Sequence, residues 1–175
     1  PAIEGNLLCI GCSDGKVYAF DISGGQPVSL WNKTIGIGIK GSITIEGDKV
    51  YASGDRNGQL YVLNKANGDL IWSWAHSSAS TLDVTVGNGI VYVECFSVYG
   101  DGGIGLYALN ASLPTGNYTY ASPYLWKDDG VWVSPGIVLA DNKIFYANHL
   151  LGSDNAYARN ASTGAFLWTF SRGNS

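Results

Sequence analysis

The sequence predicts an all-β chain, a β-propeller of four-stranded antiparallel blades, and three observations carry the prediction. A grammar of strand, turn and strand ending in tryptophan occurs four times, at Lys16 to Trp31, Gln59 to Trp72, Gly105 to Trp126 and Ala156 to Trp168. Equivalent tyrosines, Tyr18, Tyr61, Tyr107 and Tyr157, are separated by 43, 46 and 50 residues, and the four tryptophans by 41, 54 and 42. The 24 glycines and 11 tyrosines, with no methionine, suit many turns and pleated strands. Repeats of about 40 to 50 residues holding four short strands have the period of propeller blades. A solenoid of strands repeats faster, and a sandwich does not reset its grammar four times.

The first blade is expected over 1–34, with strands Pro1 to Ile3, Leu7 to Gly11, Val17 to Asp21 and Val28 to Asn32, joined through Ser13-Asp14-Gly15 and Ser23-Gly24-Gly25. The second, over 40–76, has Ser42 to Ile45, Lys49 to Ser53, Leu60 to Asn64 and Leu70 to Trp74, with Asn57-Gly58 and Asn67-Gly68 as hairpin signals. The third, over 80–127, uses Leu82 to Val86, Ile90 to Cys95, Gly105 to Asn110 and about Tyr120 to Trp126. It breaks the grammar twice, with long connections at Ser97 to Gly103 and Leu113 to Tyr118. The fourth, over 133–171, has Gly136 to Leu139, Lys143 to Ala147, Ala156 to Asn160 and Ala165 to Phe170, with an insertion at Leu150 to Asn155.

Within each repeat the residue types have physical work to do. Asp21, Asn64, Asn110 and Asn160 end the third strand, where a short polar side chain can accept from backbone amides beyond it. Gly68 and Gly164 close the turn into the outer strand. Trp31, Trp72, Trp126 and Trp168 are expected to pack blade against blade, each burying about 150 to 250 Å², or roughly 4 to 6 kcal/mol as an upper bound.

The pattern stands best at Tyr157-Ala-Arg-Asn-Ala-Ser-Thr-Gly-Ala-Phe-Leu-Trp168 and Tyr61-Val-Leu-Asn-Lys-Ala-Asn-Gly-Asp-Leu-Ile-Trp72, with looser copies at Asp21 with Gly25 and Asn110 with Gly116. It resembles the β-propeller family whose repeats are named for pyrroloquinoline quinone, over essentially the whole chain. The resemblance implies one of two functions. Some family members are assembly platforms without a cofactor; others are quinone-dependent dehydrogenases marked by adjacent cysteines and by calcium ligands. No Cys-Cys pair occurs here. Asp101 and Asp128-Asp129 sit beside glycines and are read as solvated turn carboxylates, because calcium needs about six oxygens gathered together.

No catalytic, cofactor or metal residue is therefore assigned. His76 and His149 fall in different blades, after an outer and a second strand, and suggest no triad. Cys9, Cys12 and Cys95 lack the further ligands of a zinc site, and Cys9 and Cys12 are expected to be small thiols rather than a bridge. The formal charge of −4, with ten scattered Lys and Arg, offers no basic stripe for nucleic acid. No apolar run is long enough to span a membrane as a helix.

Four Asn-x-Ser/Thr sequons, at Asn32, Asn110, Asn117 and Asn160, exceed the two or so expected from 13 asparagines and 25 serines and threonines. The repeat itself generates those at Asn110 and Asn160, so Asn32 and Asn117 are the better glycosylation candidates. They favour an extracellular or cell-surface location, with protein or carbohydrate as partner. Ser97 to Gly103 and Leu113 to Ser122 are the expected binding surface, since function concentrates in loops on rigid scaffolds.

The chain opens on proline, which implies processing or trimming, and Pro1-Ala-Ile matches Pro135-Gly-Ile137 as Ser175 matches Ser134. It thus holds a whole number of repeats. Three arrangements follow: part of a longer propeller, a half-ring completed by a second copy, or a closed ring of four. The first two are favoured, with self-association or further blades covering the end faces. Function is read as a non-catalytic binding or assembly scaffold; the alternative is part of a quinone-dependent dehydrogenase whose cofactor ligands lie outside this chain.

Overall fold

A computed structural model describes residues 1–36, 38–39, 41–54, 59–76, 80–96, 105–119, 121, 123–129, 136–150 and 153–171. It is all-β, with seventeen strands and no helix among the described residues. The first blade contains β1 (Ala2–Glu4), β2 (Leu7–Gly11), β3 (Lys16–Asp21) and β4 (Val28–Thr34) in sequential order. The second contains β5 (Ile43–Glu46), β6 (Lys49–Ser53), β7 (Gln59–Asn64) and β8 (Leu70–Ala75). The third is built from β9 (Ser80–Gly87), β10 (Ile90–Phe96), β11 (Gly105–Asn110) and β13 (Tyr124–Asp129). The fourth has β14 (Val138–Ala140), β15 (Lys143–Leu150), β16 (Ser153–Asn160) and β17 (Phe166–Ser171). Neighbours within these four sheets are antiparallel.

The remaining strand, β12 (Gly116–Thr119), comes from the third repeat but joins the second blade, lying parallel to β8 as its fifth strand. The segment read as a lengthened turn, Leu113 to Tyr118, therefore contributes an edge strand to its neighbour. The third blade's own outer strand begins at Tyr124 rather than near Tyr120. The insertion expected at Leu150 to Asn155 is instead part of a longer hairpin, since β15 and β16 stay paired from Lys143↔Asn160 to Leu150↔Ser153. His149 accordingly lies within β15 rather than after it. The connection at Ser97 to Gly103 lies outside the described residues.

The core consists of layers between blades. Cys9, Ala19 and Trp31 meet Val50, Tyr61 and Leu63 across the first junction. Val62, Trp72 and Trp74 meet Val91, Val93 and Tyr107 across the second, and Tyr92, Ala108 and Trp126 meet Ile144 and Tyr146 across the third. Alternation explains this, because residues two apart on a strand share a face and each blade must be apolar on both. The innermost strands touch in the order β1, β5, β9, β14, and β14 makes no comparable contact with β1. The array is open, so the chain does not adopt the closed ring of four, and apolar side chains such as Ile3 and Phe170 remain exposed at its two ends.

Every pairing of third with fourth strand shifts register at the same place: Ala19/Phe20, Val62/Leu63, Ala108/Leu109 and Ala158/Arg159. The extra residue on the outer strand is Leu30, Ile71, Leu125 or Leu167, immediately before the tryptophan. Such a bulge twists the strand and re-aims the next side chain. For Trp31, Trp72 and Trp126 it sets the indole on the face that meets the following blade.

Candidate functional site

The most regular constellation joins one blade's tryptophan to the next blade's turn. Trp31 Nε1 donates to the Lys65 carbonyl at 3.0 Å, and Trp126 Nε1 donates to the Ala161 carbonyl at 2.8 Å. Both acceptors directly follow the asparagine that ends a third strand. In those turns Gly68 and Gly164 have φ of 75° and 72°, a region costly for residues with a side chain. A Cβ there would lie 2.5 Å from the Trp31 ring and 2.7 Å from the Trp126 ring. The glycine thus turns the chain and leaves room for the indole.

The four residues that end the third strands have one geometry. Asp21 and Asn64 accept from the amides of Ser23 and Ala66, and Asn110 from that of Ser112, all at 2.8 Å. Asn160 accepts from Ser162 and Thr163 at 3.0 and 2.9 Å. The third turn nevertheless differs: its two extra residues carry the chain into β12, and Gly116 lies in that strand instead of under an indole. Trp72 is 0% exposed, and its Nε1 finds no hydrogen-bond partner. Trp168, on the last described blade, is 45% exposed.

Two polar clusters bridge blades. Following β8, His76 is buried with Nε2 3.2 Å from the Tyr107 hydroxyl on β11, and that hydroxyl donates to Asp129 Oδ1 at 3.4 Å. Burial, with Asp129 next, pushes the Tyr107 phenol well up, so it stays protonated. At the next junction Asp128 accepts from Tyr146 and, at 2.8 Å, from both Nε and Nη2 of Arg159. Arg159 also donates to the Gly164 carbonyl at 3.0 Å. Asp128 and Asp129 are therefore strand rather than turn residues: they end β13, Asp128 largely buried and ion-paired with Arg159, Asp129 exposed and ion-paired with Lys127 at 2.6 Å. These partners occupy oxygens that calcium would require. Asp101 lies outside the described residues.

Sequence reasoning passed over Glu94, on β10 opposite Leu106 and therefore facing the fourth blade. It is 0% exposed and neither carboxyl oxygen has a hydrogen-bond partner. Burial, reinforced by Asp83, raises its pKa to about 8, so the group is an uncharged acid at neutral pH. The signal was a lone carboxylate inside the apolar run Ile90-Val-Tyr-Val-Glu-Cys-Phe96.

Cys9, Cys12 and Cys95 are free thiols, the first and last buried. Burial raises Cys9 to about 11 and Cys95 well above the ordinary thiol range, which makes them unreactive packing residues. Among the described residues no group of three or more His, Cys, Asp or Glu side chains could hold a metal. Of the sequon asparagines, Asn32 is exposed on β4. Asn117 is exposed on β12, with its Oδ1 accepting from Ser73 Oγ at 2.8 Å.

Residues 13–170 match a family of pyrroloquinoline-quinone-type repeats described as outer membrane protein assembly factor BamB. The chain belongs to this family. No curated protein matches the sequence. Among solved structures, 97% of the chain superposes on 47% of the computationally designed Ika8 protein, with TM-score 0.74 and 15% identity. BamB from Moraxella catarrhalis is similar over 95% of the chain and 61% of its own, with TM-score 0.58 and 17% identity. A europium-containing methanol dehydrogenase is similar over 96% and 40%, with TM-score 0.72 and 12% identity. At these identities the likeness is one of fold. The chain spans about half the length of these structures. Among the described residues no helix is long and apolar enough to cross a membrane.

Proposed function

We propose that the chain is a non-catalytic binding and assembly scaffold of the cell surface or extracellular space, with protein or carbohydrate as partner. The observation that carries this reading is how the described polar groups are used. His76 with Tyr107, and Asp128 with Tyr146 and Arg159, are committed to contacts between blades, while Asp129 pairs with Tyr107 and Lys127 within its own. A group fixed in a structural pair is a poor general acid, base or metal ligand, because its lone pairs and protons are already engaged.

The family's description as an assembly factor supports a protein partner, and the exposed asparagines Asn32 and Asn117 support glycosylation. The connection leaving β10 and the segment around β12 are the proposed contact surface, being where the third repeat departs from the other three. Asn110 and Asn160 are weaker glycosylation candidates because both side chains already hold their own turns.

The fold likeness to methanol dehydrogenase favours the second reading, a quinone-dependent oxidoreductase with cofactor ligands elsewhere. One experiment separates the two. Pyrroloquinoline quinone and calcium are added to the full-length protein, and the bound chromophore and dye-linked alcohol oxidation are measured. The scaffold reading expects neither; a stoichiometric chromophore with turnover would overturn it. Intact-glycopeptide mass spectrometry on the native protein tests the location, with glycan expected at Asn32 and Asn117, and bare asparagine at both would remove that support.

A further inference from the structure

The bulge residue before each tryptophan shows what an outer edge can accept. In the second blade it is Ile71, half-buried beside the core of the second junction, where Leu113 and Tyr118 pack with it. Tyr118 belongs to β12, the strand parallel to β8, and Leu113 leads into that strand. In the other blades, which have no fifth strand among the described residues, the same position is Leu30, Leu125 or Leu167, and these are 53%, 52% and 43% exposed. Blades follow Leu30 and Leu125 within this chain. Their exposure therefore belongs to the outer edge and owes nothing to where the sequence begins or ends.

The groove beside Leu125 has a second apolar wall. Phe166 opens β17 opposite Arg159, on the side of the fourth blade from which Arg159 reaches Asp128 of the third. It is 55% exposed even so, with the Arg159 guanidinium 5.9 Å from its ring centroid. Next to this groove β13 is the edge of its sheet, so its outward amides and carbonyls form an unpaired template among the described residues. Lys127 follows Trp126 as Ser73 follows Trp72, and Ser73 Oγ donates to Asn117 across the parallel pair. An ammonium at that position is a stronger donor than a hydroxyl. The β4 edge fits less well, because Asn32 holds the same position there and a glycan on it would block a strand.

We propose that the outer edge of β13 docks an extended segment of a protein partner, which adds to it in parallel as β12 adds to β8. One aliphatic or aromatic side chain of the segment enters the groove between Leu125 and Phe166, and one amide or carboxylate side chain meets Lys127. The pairing of β12 sets the spacing: Leu113 stands three residues before Gly116, which pairs with Trp72, and Asn117 pairs with Ser73. Main-chain bonds along the edge supply affinity, and the two side chains select the sequence. The inference goes beyond the scaffold reading, whose contact surface lies elsewhere, since the same edge is available on a catalytic propeller.

The probe is a fluorescein-labelled peptide of residues 112–119 carrying Asn117→Asp, titrated into the purified chain. Saturable binding is expected below about 1 mM, with slowed hydrogen exchange at the outward amides of β13. Leu125→Ser and Phe166→Ser are each expected to weaken binding about tenfold, and Leu30→Ser to leave it unchanged. All three side chains are about half exposed, so far-UV circular dichroism is expected to match that of the parent protein. Lys127→Glu is expected to reverse the preference, so that the peptide retaining asparagine binds better than the one with aspartate. No saturation by about 1 mM, protection on β4 in place of β13, or an affinity indifferent to both groove substitutions would each overturn the proposal. Faster exchange at the β8 edge with β13 unchanged would overturn it too, by showing that the peptide displaces β12. None of these outcomes bears on the quinone assay, so the two readings fail separately.

Discussion

The indole of Trp31 lies across the Cα of Gly68, with its Nε1 donating to the Lys65 carbonyl of the same turn. Replacing Gly68 by alanine meets two penalties at one atom. The residue sits at φ 75°, and the new methyl would lie 2.5 Å from the ring. Left-handed backbone costs about 1 to 2 kcal/mol and overpacking about 1 to 3 kcal/mol, so Gly68→Ala is expected to cost about 2 to 5 kcal/mol. Gly24→Ala is the control, because its nearest neighbour would be the Gln26 carbonyl at 3.9 Å. Urea unfolding is expected to leave that variant within about 0.5 kcal/mol of the parent protein. Equal losses for both would show that the tryptophan seat is not what Gly68 preserves.

Truncating the buried tryptophans separates packing from hydrogen bonding. Trp72→Ala removes a side chain with 0% exposure and is expected to cost about 3 to 5 kcal/mol. Phenylalanine gives a finer comparison. Trp126→Phe deletes the 2.8 Å bond to the Ala161 carbonyl, which keeps the Tyr92 hydroxyl at 3.1 Å, whereas Trp72→Phe deletes a buried N–H that has no partner. The first is expected to be worse by about 1 to 2 kcal/mol. Similar melting temperatures for the two would mean the indole bond adds nothing.

Glu94 gives the fold a dependence on pH whose sign is fixed. Its pKa is raised from 4.5 to about 8 in the folded chain, so between those values the folded state holds a proton that the unfolded state has released. Stability from this group is therefore complete below about pH 4.5, falls by about 1.4 kcal/mol per unit through the window, and levels off above about pH 8. Glu94→Gln has no charge to bury and is expected to match the parent near pH 4.5 and exceed it by several kcal/mol near pH 8. The difference in unfolding free energy between parent and variant, followed from pH 4.5 to 9, isolates the group from the other carboxylates. A constant difference would mean Glu94 is charged and paired in solution.

Much of the architecture was legible because it is local and repeated. Asn64 and Asn160 announce their turns through bonds to amides two residues on, and the strand before each turn carries its alternation in plain view. The misreadings share one cause, which is that the deciding partner lies in another blade. Asp128 looks like a turn residue beside Gly130 until Arg159, 31 positions later, is seen to hold it in place. Gly116 to Thr119 looks like loop until β8 supplies a pairing edge more than 40 positions earlier. Glu94 was passed over for the opposite reason, since an acid that burial keeps neutral fits an apolar strand without a visible partner. The His76, Tyr107 and Asp129 line was hidden because its members come from two blades.

The parallel pairing of β12 with β8 is the least expected feature, and it makes the second blade different from the others at its outer edge. Gly116 pairs with Trp72 and Tyr118 with Trp74, and Ser73 donates to Asn117 across the pair. Tyr118 packs beside the core of the second junction and donates to the Pro114 carbonyl at 2.9 Å, which ties the strand to its own loop. The edge-facing amides of β8 are thus covered, while those of β4 and β17 face open edges in the single chain. Hydrogen exchange is expected to be at least about tenfold slower at the β8 edge than at the other two, reflecting an opening cost of about 1.4 kcal/mol or more. Tyr118→Ala removes the packing that holds β12 down and is expected to erase that difference while leaving the β6 and β7 amides protected. A β8 edge that already exchanges as fast as β17 in the parent protein would remove β12 from the second blade.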